Sequence, residues 1–481
     1  MQSATENGTI QATGSDKIRA LFSEQKKNRF AIAQTTARQR IARLRALHKA
    51  VQARRDDIHA ALYADFKKPA AEVDLSEILV VNLELKHAIR HLKKWMKPKR
   101  VRPTLAYLTT RSWIRYEPRG CVLIISPWNF PFNLTLGPLI SAIAAGNTVM
   151  LKPSEHAPHT ARLIESMLQD IFPENEVAVV QGEKEVAEQL IHMPFDHIFF
   201  TGSPQVGKIV MKAAAENLTT VTLELGGKSP IIIDASANIR DAAQKVAWGK
   251  YINNGQTCIA PDYALVHESV YAQFISAFKE QVTRFFGHDE QQRKACPDYA
   301  RIINTGHHKR LQAMLTESVA AGARLEQGGT VDEQERYMAP TLLTEVPAQA
   351  PVLQQEIFGP ILPVMRFTDL DEVIDIINSK EKPLALYIFS ANKKNIRRII
   401  DYTSAGSTCI NDLLLQFMHP NLPFGGVNHS GFGNAHGFYG FRAFSHERAI
   451  LQQSKISPMK LMYPPYSAKV KKLIELATKY L

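Results

Sequence analysis

The sequence is poor in the features that mark secreted, membrane-spanning and zinc-stabilised proteins. Only four of its 481 residues are cysteine, and no two of them form a CxxC pair. Sparse, widely spaced cysteines argue against structural zinc and favour a reducing compartment. No run of 18 or more apolar residues occurs, which argues against a transmembrane helix. Because residues 1–16 are polar and hold no apolar signal core, we expect a cytoplasmic protein.

The chain also lacks internal repeats, low-complexity segments and a complete GxGxxG fingerprint. Apolar residues still make up 45% of the chain, and a length of 481 residues predicts two main domains. Residues 1–120 hold 25 Lys and Arg against 11 Asp and Glu, whereas the remainder holds 33 against 35. The densest basic run, residues 93–102, fits a solvated helix end or, at most, weak peripheral contact with an anionic membrane. No nucleic-acid-binding motif accompanies this run, so no nucleic-acid partner is expected.

Hydrophobic periodicity predicts the order of the secondary structure. Residues 17–97 are expected to be helical, and residues 104–117 to form a protruding hairpin. Short apolar strands then alternate with helices from Cys121 to Leu225, which indicates a parallel sheet covered on both faces. The alternation continues to about residue 425 in a second α/β unit, and residues 468–481 predict an amphipathic helix. Within the N-terminal helices, the apolar spacing is carried by Ile41, Leu44, Leu47, Leu79, Leu83, Ile89 and Leu92.

Two segments in the middle of the chain hold reactive side chains. Glu224 ends a buried strand before Gly226 and Gly227, where a general base explains a carboxylate better than a structural salt bridge does. Cys258 follows a loop of small polar residues, which is expected to leave its thiol accessible. A helix N-terminus or a nearby cation would lower the pKa of such a thiol. A thiol that attacks a carbonyl and a carboxylate that activates water together suit oxidation of an aldehyde through a thioester.

Further motifs stand where strands end or where glycine permits tight turns. The turn at residues 199–207 leads from a strand into a helix, whose N-terminus is an anion site. Taken singly, each of these motifs also fits a packed turn or a surface charge. They are SPWNFP at 126–131, LKPSE at 151–155, FFTGSPQVG at 199–207, EIFGP at 356–360, LPFGGVNHSG at 422–431 and NAHG at 434–437.

Together with ELGGK at 224–228 and GQTC at 255–258, these motifs resemble the aldehyde dehydrogenase superfamily, and the C-terminal third looks like its class 3 branch. The resemblance runs from about residue 20 to the C-terminus. It implies an α/β fold with a Rossmann-type, parallel-sheet NAD(P)-binding domain and a second α/β catalytic domain. A small bridging segment would join two subunits in a homodimer, and no metal is required. The implied ranges are 1–100 and 119–225 for the cofactor domain, 226–425 for the catalytic domain, and 101–118 and 426–481 for the bridging segment.

The resemblance also implies roles for individual residues. Cys258 is the nucleophile and Glu224 the base, and the Asn129 amide and the Cys258 N–H hold the oxyanion. The implied cofactor is NAD, with NADP also accepted, and it is contacted by Trp128, Lys152, Glu155, Gly202, Ser203, Gly207, Leu225, Gly226, Glu356 and Phe358. The implied substrate-lining residues are Phe130, Trp248, Leu414, Phe417, Phe424 and His436, of which His436 fits a structural histidine equally well.

The predicted function is therefore NAD(P)-dependent oxidation of medium-chain, long-chain or aromatic aldehydes to carboxylic acids. One alternative is an acylating enzyme that passes the acyl group to coenzyme A. Glu224 argues against it, because a carboxylate base serves hydrolysis. The other alternative is a catalytically silent cofactor-binding protein, which the presence of Cys258, Glu224, Asn129 and Glu356 disfavours.

Overall fold

The computed structural model describes residues 12–480, in which N-terminal helices precede a long alternation of strands and helices. Up to residue 118 the elements are α1 (Ser15–Ala33), α2 (Ala37–Ala53), α3 (Arg55–Phe66), α4 (Ala70–Val73), α5 (Leu79–Trp95), β1 (Lys99–Val101) and β2 (Thr110–Pro118). From residue 121 to residue 224 they are β3 (Cys121–Ile125), α6 (Asn133–Ala145), β4 (Thr148–Lys152), α7 (Pro158–Gln169), β5 (Val177–Val179), α8 (Lys184–Ile191), β6 (His197–Thr201), α9 (Pro204–Glu216) and β7 (Thr220–Glu224).

The second half of the chain continues the alternation and ends in short, irregular elements. From residue 230 to residue 418 the elements are β8 (Pro230–Ile233), α10 (Ile239–Tyr251), β9 (Tyr263–His267), α11 (Glu268–Phe286), α12 (Glu290–Ala295), α13 (Thr305–Ala320), β10 (Arg324–Gln327), β11 (Val331–Asp332), β12 (Tyr337–Met338), β13 (Thr341–Thr344), α14 (Pro351–Gln354), β14 (Ile361–Phe367), α15 (Leu370–Asn378), β15 (Ala385–Phe389), α16 (Lys393–Tyr402), β16 (Ser407–Ile410) and α17 (Leu415–Met418). The last ones are β17 (Gly431–Phe432), α18 (Gly437–Ala443), β18 (Ser445–Gln453) and α19 (Ala468–Tyr480). Among residues 12–480, no helix combines the length and the apolar character that crossing a membrane requires.

The first sheet is built mainly from the segment between residues 121 and 224. Its strand order is β17-β7-β6-β3-β4-β5, and strands β3 to β7 pair in parallel. Residues of β3, β4 and β6 are buried throughout, because helices pack on both faces of the sheet. The predicted doubly covered parallel sheet, with its first strand at Cys121–Ile125, is confirmed.

The second sheet holds the strands between residues 230 and 410. Its order is β10-β13-β14-β9-β8-β15-β16, with parallel pairing everywhere except between β10 and β13. Apolar layers cover this sheet on both faces as well. The second α/β unit predicted from the sequence is therefore present.

A separate three-stranded sheet, β1-β2-β18, joins residues near position 110 to the C-terminal region. The predicted hairpin is present, but its first strand lies at Lys99–Val101, before the predicted range of 104–117, and Leu105–Tyr107 forms a short 3-10 turn. The second partner of β2 was not predicted: β2 pairs along nine residues with β18. The spacing of residues could not predict the pairing with β18, which lies more than 300 residues away from β2 along the chain.

The predicted domain boundaries stay a prediction. Strand β17, which lies in the range assigned to the bridging segment, pairs with β7 in the first sheet. The final predicted helix is confirmed as α19, over Ala468–Tyr480.

Helix α5 buries only part of the apolar face that its spacing indicates. Leu92 is fully buried, whereas Leu79 and Leu83 are 39% and 37% exposed. The buried positions one residue further along are taken by Val80 and by the carboxylate of Glu84, which is 5% exposed. A residue with a carboxylate side chain thus occupies a core position, which the spacing of apolar residues does not predict.

Candidate active site

The carboxyl ends of the strands in the first sheet bring the predicted cofactor motifs together. Ile125 pairs with Lys152 on one side and with Phe200 on the other, and Thr201 pairs with Glu224. The segments 126–131, 152–155, 201–207 and 224–228 therefore leave the sheet at the same edge. Open parallel sheets bind their ligands at this edge.

The loop that carries Cys258 is held by a dense set of hydrogen bonds. Asn253, Asn254 and Gly255 take left-handed backbone conformations, with φ of 54°, 55° and 71°. The Asn253 amide donates to the carbonyl oxygens of Asn129 (2.8 Å) and Gln256 (3.0 Å). A β-carbon on Gly255 would lie 2.3 Å from the carbonyl oxygen of Gly359, so only glycine fits at this position. The conformation immediately before the thiol is thus fixed from several sides.

The thiol of Cys258 lies in a more buried and more acidic environment than the sequence led us to expect. Burial raises the pKa of Cys258 above its ordinary value, and the carboxylates of Glu224 and Glu356 raise it further. The thiol is partly exposed, so its expected accessibility is confirmed in part, but the expectation of a lowered pKa is wrong for the protein alone. The physical reason is that the small polar residues before the thiol are themselves buried instead of opening the loop to solvent.

Asn129 is a buried residue that contacts the cysteine loop. Its side chain is 3% exposed, and its amide nitrogen donates to the carbonyl oxygen of Gln256 at 3.1 Å, two residues before Cys258. The Asn129 carbonyl in turn accepts from Asn253. The structure thus ties the 126–131 motif to the cysteine loop, and the role of Asn129 toward an oxyanion stays a prediction.

Glu224 is a buried carboxylate with one unsatisfied oxygen. It ends β7, between Thr201 of β6 and Gly431 of β17, and it is 5% exposed. Its Oε1 has no hydrogen-bond partner among the described residues. Burial raises the pKa of Glu224 to about 7, although the charge of His436 acts in the opposite direction. A carboxylate that titrates near neutral pH and is free to bond water has the properties of a general base.

Glu356 is a second buried carboxylate near the thiol, but its position is fixed. Burial and the charge of Asp262 raise the pKa of Glu356 to about 7. Its Oε1 accepts from the backbone N–H of Gly227 at 3.1 Å. A β-carbon on Gly226 would lie 2.3 Å from the other oxygen, so the Gly-Gly turn packs directly against this carboxylate. Glu356 therefore serves better as a fixed acceptor than as a moving base.

The remaining predicted cofactor residues line the outer edge of the same region. The rings of Trp128 and Phe358 lie 5.3 Å apart in an edge-on arrangement. Lys152 and Glu155 form an ion pair with each other. Ser203 caps α9 by accepting from the N–H of Val206, and Gly202 beside it is partly exposed. Farther in, Gly207 packs against Leu225.

These residues fit a dinucleotide. The N-terminus of α9 is open to an anion, the Lys152–Glu155 pair offers a donor and an acceptor, and the Trp128–Phe358 pair offers aromatic surface. Within residues 12–480, no group of three or more His, Cys, Asp or Glu side chains could hold a metal ion.

The predicted substrate residues fall into one cluster and two separate positions. Leu414, Phe417 and Cys258 pack against the same apolar core that contains Phe424. The rings of Phe417 and Phe424 lie 4.8 Å apart, and the His436 ring lies 4.7 Å and 5.6 Å from them.

Phe130 and Trp248 lie outside this cluster. The Phe130 ring packs over the ammonium of the buried Lys68 at 4.1 Å, and Trp248 is partly buried near the end of α10. Their roles toward a substrate stay a prediction.

Three residues that support the site were missed by motif reasoning. Glu72 accepts from the N–H of Asn253 at 2.7 Å, and the Tyr387 hydroxyl donates to the carbonyl of Ile259 at 2.7 Å. Glu84 accepts from the N–H of Gly437 at 2.7 Å. Each contact joins residues that lie far apart in the sequence, so the spacing of neighbouring residues does not predict it. For Glu84 the one available signal was its place on the same helical face as Val80 and Ala88.

The ionisation of Glu224 is expected to cost folding stability. Its pKa of about 7 in the folded chain lies above the ordinary 4.5, so stability is lost as pH rises from about 4.5 to about 7. Glu224→Gln cannot ionise and should gain about 3 kcal/mol over the wild type across that window, at about 1.4 kcal/mol per pH unit. Unfolding midpoints measured at pH 5 and pH 8 check this. A stability difference that is the same at both pH values would contradict it.

Comparison with known proteins places the chain among relatives along nearly its whole length. Residues 2–450 match the aldehyde dehydrogenase family. The chain is 46% identical over 428 residues to 4,4'-diaponeurosporen-aldehyde dehydrogenase of Staphylococcus aureus, which covers 89% of this chain and 92% of that protein. It is 45% identical over 430 residues to aldehyde dehydrogenase family 3 member A2 of Pongo abelii, with 89% and 87% covered.

Solved structures agree with these relatives. The substrate-bound state of Staphylococcus aureus AldH superposes with a TM-score of 0.91 at 43% identity, covering 95% of this chain and 99% of that one. Glyceraldehyde-3-phosphate dehydrogenase of Methanocaldococcus jannaschii complexed with NADP gives 0.83 at 27%, covering 92% and 96%. A Mycobacterium tuberculosis aldehyde dehydrogenase complexed with NAD+ gives 0.85 at 25%, covering 93% and 92%. The predicted fold class and family are confirmed.

Proposed function

Because the chain belongs to the aldehyde dehydrogenase family, and is thus an oxidoreductase of aldehydes, we propose that it oxidises apolar aldehydes to carboxylic acids with NAD. The observation that carries the detailed proposal is the joint burial of Cys258 and Glu224. The charge of Glu224 acts on the thiol, so nucleophile and base share one site. NADH formation followed by its absorbance, with and without coenzyme A, tests the reaction class.

The proposed chemistry begins with the thiol. The thiol of Cys258 first loses its proton to water, the thiolate sulfur then bonds to the aldehyde carbon, and the carbonyl oxygen becomes an oxyanion held by the Asn129 amide and the Cys258 N–H. NAD, when bound, supplies the hydride acceptor. After the hydride has left, the carbonyl reforms as a thioester. Glu224 then takes a proton from water while the water oxygen bonds to the acyl carbon, and the C–S bond breaks to release the acid and the thiolate.

Support for this division of roles comes from the two buried carboxylates. Glu356 is held by the Gly227 N–H, whereas Glu224 keeps one oxygen without a partner in the described part of the chain. An unpartnered oxygen can accept from water, and a carboxylate with a pKa of about 7 is ionised in a large fraction of molecules at neutral pH. A hydrolytic base of this kind favours acid release over acyl transfer to coenzyme A.

NAD should be preferred over NADP by about tenfold in kcat/KM, which corresponds to about 1.4 kcal/mol of repulsion. Burial alone would raise the pKa of Glu155, but the charge and hydrogen bond of Lys152 lower it, so Glu155 is ionised. An ionised carboxylate accepts from ribose hydroxyls and repels a 2′-phosphate. Steady-state kinetics with both cofactors measure the ratio, and Glu155→Gln should narrow it. A strong preference for NADP would show that Glu155 does not face the ribose.

Longer apolar aldehydes should greatly outperform acetaldehyde. Leu414, Phe417 and Phe424 form an apolar group beside Cys258, and residues 413–418 include no Lys or Arg to receive an acidic substrate. Each buried methylene contributes about 0.8 kcal/mol, close to fourfold in affinity. Acetaldehyde, hexanal, decanal, benzaldehyde and succinic semialdehyde are compared by kcat/KM.

The matched variant for this comparison is Phe417→Ala, which removes apolar surface and leaves the reacting groups in place. It should lower kcat/KM for decanal far more than for acetaldehyde. A flat chain-length profile, or a preference for the semialdehyde, would refute the apolar substrate site and leave the reaction class untouched.

We also propose a homodimer in a reducing, cytoplasmic compartment. The three-stranded sheet presents apolar side chains to solvent: Leu451 is 55% exposed, and Leu105 and Leu108 beside the sheet are 68% and 64% exposed. Exposed apolar groups of this size favour association between chains.

The cysteines support the proposed compartment. All four cysteines are unpaired, which suits a reducing environment.

A further inference from the structure

His436 and Glu84 form a buried pair of ionisable side chains near Glu224. The proposed chemistry gives neither of them a part. His436 precedes α18, and its Nδ1 lies 3.6 Å from Oε2 of Glu84 on α5. The other oxygen of Glu84 accepts from the N–H of Gly437 at 2.7 Å. Both side chains of the pair are close to fully buried, with 11% and 5% exposed. Glu84 therefore makes two contacts with this turn, one to the imidazole of His436 and one to the backbone N–H of Gly437.

The same imidazole faces Glu224 across a small internal cavity. The cavity has a volume of about 10 Å³ and is lined by both Glu224 and His436, with Asn133, Ser141 and Phe199 among its other walls. A space of that size admits about one water molecule. Oε1 of Glu224 has no partner in the described part of the chain, and a water molecule in this cavity would lie between that oxygen and the imidazole.

We infer that His436, held by Glu84, is a positioning residue that keeps Glu224 ionised and ready to accept a proton from water. This inference rests on the proposed function, in which Glu224 is the base for thioester hydrolysis. The imidazole lines the same cavity as Glu224, and its positive charge acts on that carboxylate. No proton needs to leave the pair during turnover, because its part is electrostatic.

The electrostatics of the surrounding groups agree with this assignment. Burial alone would lower the pKa of His436, but the hydrogen bond and charge of Glu84, with the charge of Glu224, raise it. The positive charge of His436 in turn lowers the pKa of Glu224 against the effect of burial.

The other charged or titratable groups near the pair lie on α5 and in the loops that carry Cys258 and Glu356. On α5, His87 packs against Gly437, and Arg90 and His91 lie beside His87. The charges of Glu224 and Glu356 both act on Cys258. The pKa of His87 is lowered, first by burial and then by the charges of His91 and Arg90, so His87 is neutral. Of the two histidines at Gly437, only His436 has a raised pKa.

The test measures hydrolysis of the acyl-enzyme as a function of pH. p-Nitrophenyl acetate acylates a reactive thiol and releases nitrophenolate in a burst, and the later steady rate reports hydrolysis without any cofactor. In the wild type the hydrolysis rate should rise with pH as Glu224 ionises. His436→Gln and Glu84→Gln should each move this rise to higher pH by about one unit or more, because a nearby positive charge has been removed. In Glu84→Gln, which leaves the His436 imidazole in place, the burst rate and the plateau at high pH should change little.

His87→Gln is the matched control. It makes the same substitution next to Gly437 but removes a neutral imidazole, so the rise should stay at the wild-type pH. Glu84→Gln guards against misfolding of His436→Gln, since glutamine keeps the acceptor for the Gly437 N–H. The ring-nitrogen NMR signal of His436 is identified as the signal that disappears in His436→Gln. Near neutral pH this signal should show a protonated ring in the wild type and a neutral ring in Glu84→Gln.

The outcomes separate two failures. If Glu224→Gln leaves the pH-dependent rise in place, Glu224 is not the base and the proposed function fails. If Glu224→Gln abolishes the rise while His436→Gln and Glu84→Gln leave it at the wild-type pH, only the positioning role of His436 is overturned. A loss of rate in these variants that is equal at every pH would also overturn it, because that pattern reports a structural effect alone.

Discussion

Replacing Cys258 with alanine should lower kcat for aldehyde oxidation by at least about 10⁴-fold, since removal of a covalent nucleophile leaves only binding and oxyanion contacts. The backbone N–H that would hold the oxyanion is kept in this variant. The cysteine loop is fixed by Asn253, Gln256 and Gly255 instead of by the thiol, so the fold around the site should survive. NADH formation with a good aldehyde substrate measures the loss.

Cofactor binding provides the control for Cys258→Ala. Trp128, Lys152 and Ser203 lie at the carboxyl ends of strands of the first sheet and Phe358 lies just before β14, so the residues that fit the dinucleotide are on elements other than the cysteine loop. The dissociation constant for NADH, measured by fluorescence, should therefore stay within about threefold of the wild type. Cys409→Ala and Cys296→Ala serve as matched variants, because both remove a partly buried thiol outside the site. Comparable loss of activity in either of them would contradict the assignment of Cys258.

The sequence predicted those parts of the fold that depend on local pattern. The strand at Cys121–Ile125 is a run of five apolar residues, and such a run has few alternatives to a buried parallel strand. The motifs at the strand ends were brought together for the same reason, because parallel strands present their carboxyl ends at one edge. Pattern and topology were sufficient here.

What the sequence could not predict depends on contacts between distant segments. Strand β2 pairs with β18 over nine residues, and no pattern near residues 104–117 predicts that partner. Glu84 occupies a core position on α5 because the Gly437 N–H and His436 lie opposite it, about 350 residues away along the chain. A carboxylate beside two leucines is read as a surface charge until its partners are known. The same limit applies to Glu72, which stabilises the turn at Asn253.

The environment of the thiol shows a further limit of reasoning from composition. Small polar residues before Cys258 suggested exposure, yet Asn253, Asn254 and Gln256 are themselves fully buried and pair with one another or with backbone. Their function is to hold a strained backbone in a dry interior. Burial, together with two nearby carboxylates, therefore raises the pKa of the thiol instead of lowering it.

Glu224→Gln should slow hydrolysis of the acyl-enzyme by about 10²- to 10⁴-fold and leave its formation near the wild-type rate. The two steps separate because the carboxylate acts on water, whereas the sulfur attacks the aldehyde. Removing the Glu224 charge also lowers the pKa of the Cys258 thiol, so formation could even become faster. Rapid mixing with NAD and aldehyde should then give a burst of about one NADH per active site followed by a slow steady rate.

Glu356→Gln distinguishes the two buried carboxylates. Glu356 accepts from Gly227 and faces the turn at Gly226, so its loss should disturb cofactor placement and slow the burst itself. Glu224→Gln should keep the burst and lose only the steady rate. If the two variants exchanged these behaviours, Glu356 would be the hydrolytic base, and the unpartnered oxygen of Glu224 would need another explanation. If Glu224→Gln kept a near-native steady rate, neither its pKa of about 7 nor its position beside the thiol would bear on hydrolysis.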